Sequence, residues 1–180
     1  MGLLSTQEEK VWELFQKGYS TSEIPDHTPE EKWESAYVSR VLNRARKKIE
    51  KALRNQANSH RLDVESVQDY KGLLIGFDYQ ANAQVYMVFT IKLGIIVWYK
   101  HDSYAGKLCD GKIYGRPNEP AGDPCPKFDE CRETLDTVMH EYNIKLRPDE
   151  EQLYMTEQSV AIFNKLAAKE VPRYKRKDEL

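Results

Sequence analysis

From Glu30 to about Asn55 the chain contains neither glycine nor proline, and its apolar residues recur at helical spacing. Trp33, Tyr37, Val41 and Leu42 mark the stripe, and Val38, Ala45, Ile49, Ala52 and Leu53 extend it. At 3.6 residues per turn, this spacing places the apolar side chains along one side of a helix. The other side carries Ser39, Arg40, Asn43, Arg46, Lys47 and the later basic residues. A long amphipathic helix with a cationic outer face is therefore the element around which the remaining chain must be arranged.

The charge is concentrated there. The 180-residue chain has a formal net charge of only −2. Within residues 40–54, Arg40, Arg44, Arg46, Lys47, Lys48, Lys51 and Arg54 stand against the single Glu50, a local balance of +6. Residues 61–180 hold 17 basic and 20 acidic side chains, a balance of −3. Cations gathered on one helix of an otherwise acidic chain are an electrostatic footprint for a polyanion.

Upstream, Ser5-Thr6-Gln7-Glu8 supplies an N-cap hydroxyl and an acidic first turn. Val11, Leu14 and Phe15 follow at helical spacing with Trp12 beside them, and Lys17-Gly18 closes the helix. Ser20 and Glu23 have capping-box spacing, which predicts a second short helix. Pro25-Asp26-His27-Thr28-Pro29 then interrupts, with Pro29 suited to the first turn of a new helix capped by Thr28.

Taken together, Leu4-Ser5, Glu8, Val11, Leu14, Gly18-Tyr19-Ser20 and Glu23-Ile24, followed by Val38 and Leu42-Asn43-Arg44-Ala45-Arg46-Lys47-Lys48-Ile49, resemble a known unit. It is the helix-turn-helix shared by sigma-factor region 4, LuxR-type regulators and archaeal Tfx-type DNA-binding proteins. Ser35-Ala36-Tyr37-Val38-Ser39 leading to Arg44-Ala45-Arg46 is most similar to the Tfx type, where this helix is the recognition helix. The resemblance departs at the turn, where Val38 arrives about three positions late and prolines intervene. The second helix is thus expected to be short or distorted and the turn enlarged.

The resemblance implies a recognition helix lying in the major groove with its N-terminal residues nearest the base edges. Ser35, Tyr37, Ser39, Arg40 and Asn43 are then the candidates for base or adjacent phosphate contact. Arg44, Arg46, Lys47 and Lys48 would mainly neutralise phosphates. The implied partners are double-stranded DNA and a second copy of the chain, since one recognition helix covers few base pairs. A solvated basic helix face with no ligand is the plain alternative reading of the same charge run.

After residue 58 the period changes. Gly72–Tyr79 reads as a strand, Gln80-Ala81-Asn82-Ala83 as a turn, and Val85–Ile91 and Ile95–Tyr99 as two more strands. Residues 55–66 read as a polar linker or an extension of the basic helix. Asp102–Lys127 is glycine- and proline-rich and loop-like. Phe128 to about Asn143 and residues 149–169 have helical spacing, and the tail from Pro172 is basic. The expected fold class is α+β. A helix-turn-helix domain over 1–58 precedes a small antiparallel sheet flanked by helices over 59–171, a dimerisation or sensor domain, and 172–180 form a flexible tail.

Cys109, Cys125 and Cys131, with His101, have the composition of a tetrahedral zinc set, making zinc the candidate cofactor. Their spacing lacks the Cys-x-x-Cys knuckle, so two other readings stay open. Cys131 is a core residue with Cys109 and Cys125 as loop thiols, or a Cys109–Cys125 or Cys125–Cys131 disulfide acts as a redox switch. The aromatic set Phe77, Tyr79, Tyr86, Phe89, Trp98, Tyr99 and Tyr104 is core or the lining of a ligand pocket. No catalytic motif is present, and no enzymatic residues are assigned.

The N-terminus has no basic and apolar leader, and no window reaches the roughly 18 apolar residues of a membrane span, so a cytoplasmic chain with no membrane partner is expected. The myristoylation-like Met1-Gly2 and the terminal Lys177-Asp178-Glu179-Leu180 are short enough to match by chance. The leading expectation is a sequence-specific transcriptional regulator. Its rivals are a metal- or small-molecule-binding protein, enzymatic or not, with the first helices mediating protein contacts, and a sigma-like factor that partners RNA polymerase.

Overall fold

The computed structural model describes residues 2–100 and 127–172. Helix α1 (Thr6–Gln16) begins as its sequence dictates. The Ser5 hydroxyl accepts from the Glu8 amide at 3.3 Å, and the Glu8 carboxylate accepts from the Ser5 amide at 2.9 Å. This reciprocal pair satisfies two backbone donors that a bare helix end leaves orphaned. Val11, Trp12 and Phe15 are buried.

The two helix starts read after Gly18 do not form. Ser20 is buried with its hydroxyl bonded to that of Ser22, and the chain makes only a single 3-10 turn, Ile24–His27. Thr28 does not cap forward; its hydroxyl donates back to the Ile24 carbonyl at 3.0 Å. Lys32 then takes a left-handed φ of 53°, which an α-helix cannot continue through. Helix α2 therefore begins only at Ser35 and runs to Ser59, leaving Trp33 ahead of it. Its 25 residues span about 37 Å.

The sheet has four strands, one more than the sequence reading, in the order β1 (Asp63–Gln68), β2 (Leu73–Asp78), β3 (Ala83–Thr90), β4 (Gly94–Tyr99). All neighbours are antiparallel. Of the 55–66 stretch, read as linker or helix extension, the first part does extend α2 to Ser59 and the last part enters β1, an edge strand whose exposed first half lacks an apolar run. Gly72 leads into β2 with a φ of 56°, and a Cβ there would lie 2.5 Å from the Tyr142 hydroxyl, so only glycine fits.

Helices cover both faces of the sheet. Trp12 of α1 meets Phe89 edge-on at 6.3 Å, while Phe163 stacks on Tyr86 at 4.6 Å. Residues three apart on a strand point to opposite sides, so these contacts bury β3 from both directions. The aromatic set thus divides: Tyr86, Phe89 and Trp98 are core, Phe77 and Tyr99 are half-buried, and Tyr79 is 73% exposed. Tyr104 lies outside the described residues.

α3 (Phe128–Glu141) forms as expected, but the helix read over 149–169 breaks into α4 (Pro148–Glu151) and α5 (Met155–Ala168). Tyr154 is extended at the break, with ψ 150°. Two lysines tie these helix ends together. Lys169 donates to the Gln16 and Tyr142 carbonyls, and Lys71 donates to the Ala167 carbonyl at 2.6 Å. Cations thus sit at the carbonyl ends of α1, α3 and α5, where helix dipoles favour positive charge. Burial, and for Lys169 the neighbouring Lys71 charge, holds both lysines below the ordinary lysine pKa.

Candidate nucleic-acid interface

α2 buries Val38, Val41, Leu42, Ala45, Ile49, Leu53 and Ala57. Its opposite side is a stripe of exposed cations at alternating four- and three-residue steps: Arg40, Arg44, Lys47, Lys51 and Arg54. The first and last are fourteen residues apart, about 21 Å along the axis. Lys51 and Arg54 were counted in the sequence's positive balance but not singled out; their spacing from Arg40 was the available signal.

The cations differ in what they already hold. Lys48 donates to the Glu8 carboxylate at 2.8 Å, and Arg44 lies 3.8 Å from it. Glu8 is itself 3% exposed. Burial pushes its carboxyl up, but the hydrogen bonds from Lys48 and Ser5 and the charges of Lys48 and Arg44 outweigh that and hold it below the ordinary range. Arg54 pairs with Glu50 at 3.1 Å. Arg40, Lys47 and Lys51 make no ion pair among the described residues.

The other sequence-read residues are placed unequally. Arg46 points off the stripe, pairs with Asp69 and lies 4.8 Å over the Tyr70 ring. Its Nη2 also donates to the Asn43 Oδ1 at 2.6 Å. Tyr37 is half-buried against Trp33, 5.6 Å between ring centres. Ser35 is half-buried at the first helical position, and Ser39 is exposed. Arg40, Arg44, Lys47 and Lys48 are thus together on the outer face, whereas Arg46 and Asn43 are linked to each other and, through Asp69, to the sheet.

The approach to α2 is acidic. Glu30, Glu31 and Glu34 are exposed ahead of the helix, and one cation, Lys10, serves both Glu30 (2.9 Å) and Glu31 (3.0 Å).

Of the zinc candidates, His101, Cys109 and Cys125 lie outside the described residues. Cys131 is half-buried on α3, packed against the core. Among the described residues no group of three His, Cys, Asp or Glu side chains is placed to hold a metal. A cavity of about 200 Å³ opens beside Trp12, Ile91 and Glu141. The Glu141 carboxylate accepts from the Ile91 amide at 2.6 Å, and burial raises its pKa. No helix among the described residues is long and apolar enough to cross a membrane.

No protein-family model, curated protein or solved structure matches this chain.

Proposed function

We propose that the protein binds double-stranded DNA and that its contact element is the outer face of α2. The observation that carries this reading is the cationic stripe Arg40–Arg44–Lys47–Lys51–Arg54, exposed on a helix whose other side is core. Five cations over about 21 Å approach the linear charge density of one DNA strand, which carries a phosphate about every 3.4 Å. Releasing condensed counterions from those phosphates is the driving force such a surface supplies. The resemblance of residues 4–49 to helix-turn-helix proteins agrees in naming this helix as the contact.

The test is fluorescence anisotropy of a labelled duplex at low salt, with the wild type beside Arg40→Glu/Lys47→Glu/Lys51→Glu. Binding by the wild type and loss of at least about a hundredfold in the variant is the expected result, since three attractions become repulsions. Equal binding by both proteins would refute α2 as the interface.

A further inference from the structure

We infer that α2 holds duplex DNA side-on through its backbone phosphates, anchored by Arg40, Lys47 and Lys51, and reads no base edges. This rests on the DNA-binding reading above and fixes how the same face engages its ligand.

Base readout by a helix needs three things: an N-terminal end that enters the groove, side chains there that are free to bond, and a partner helix that braces it across the backbone. Each is missing or committed elsewhere. The end that would enter the groove is preceded by Glu30, Glu31 and Glu34, whose charge Lys10, paired with the first two, and the exposed Lys32 offset only in part. Pushing those carboxylates between two phosphate backbones is electrostatically unfavourable. Asn43 is half-buried, and its Oδ1 accepts from Arg46, which is itself held by Asp69, so its amide is oriented toward that network rather than toward a groove. Arg46 cannot reach guanine without leaving Asp69 and Tyr70. The bracing helix is reduced to the turn Ile24–His27.

What remains is a straight row of long, uncommitted cations away from the acidic end. Arg40, Lys47 and Lys51 have no internal partner to give up among the described residues, so they bind phosphate at the least cost. Arg44 and Lys48 share Glu8, and Arg54 shares Glu50. Contacts of this kind position a protein on the duplex without carrying sequence information.

The experiment measures affinity for several unrelated duplexes of equal length over a salt series. Three phosphate contacts give a log–log salt slope of about −2.7, the same for every duplex, or a roughly 40-fold loss between about 50 and about 200 mM salt. Alanine at Arg40, Lys47 or Lys51 makes the slope shallower by about 1 on all duplexes alike, and Asn43→Ala leaves it unchanged. A preference above about tenfold for one duplex, abolished by Arg40→Ala or Asn43→Ala, would overturn backbone-only docking and leave the DNA reading standing. Absence of binding to any duplex, by protein with a native circular-dichroism spectrum, would overturn both. Tighter binding to duplex RNA of equal length would overturn DNA as the occupant.

Discussion

The cations of α2 and the lysines at the helix ends, Lys71 and Lys169, are the same chemistry put to opposite uses. Lys71 and Lys169 are partly buried and end on backbone carbonyls, so their bonds are internal and their removal leaves carbonyls unsatisfied. Arg40, Lys47 and Lys51 are exposed and make no ion pair among the described residues. Positive charge alone therefore does not identify a binding residue. What separates the two groups is whether the charge is already answered within the fold, and Arg46, paired with Asp69, falls with the lysines despite its place on the basic helix.

The sharpest way to break this division is Lys169→Met. Removing two carbonyl contacts in a partly buried site is expected to cost about 2–4 kcal/mol in urea denaturation, with the duplex salt slope unchanged. Arg46→Ala follows at about 1–3 kcal/mol, because it leaves the Asp69 carboxylate unanswered, again with little change in slope. If Arg46→Ala left stability untouched and flattened the slope, Arg46 would belong with the stripe.

Glu8 links the two groups, since it caps α1 and holds two cations of α2. Glu8→Gln keeps an acceptor for the Ser5 amide but removes the charge that holds Lys48 and Arg44, and is expected to lose about 1 kcal/mol of stability at neutral pH. Its folded pKa lies below the ordinary 4.5, so the stability it contributes is present above that value and lost as pH falls through the folded pKa. Wild-type denaturation below pH 4.5 should therefore steepen relative to Glu8→Gln. By freeing Lys48 and Arg44, the same substitution should steepen the salt slope from about −2.7 towards −4.5. Lys47→Ala is the smallest perturbation of the fold, within about 0.5 kcal/mol, as for any exposed substitution away from special features.

The elements legible in the sequence were those whose causes are local. Ser5 and Glu8 stand three residues apart and cap α1 as their spacing dictates. β2, β3 and β4 announce themselves by runs of β-branched and aromatic residues bounded by turns. Illegible elements depend on distant partners. Thr28 has the spacing to cap a helix beginning at Pro29, and only its packing against the preceding turn decides that it bonds back to Ile24 instead. β1 is polar because its outer edge is solvated, so periodicity missed it. In the candidate site the stripe followed from helical spacing. The commitment of Arg46 to Asp69, 23 residues away, and of Lys48 to Glu8, 40 residues away, did not.

The most direct test of the division puts both readouts on one pair of proteins: Arg40→Gln/Lys47→Gln/Lys51→Gln and Lys169→Met, each measured for denaturation midpoint and for duplex affinity across a salt series. The account predicts that the triple variant keeps its stability within about 1 kcal/mol and loses nearly all salt-dependent duplex binding, while Lys169→Met does the reverse. A triple variant that unfolds, or one that binds duplex with the wild-type slope, would contradict it.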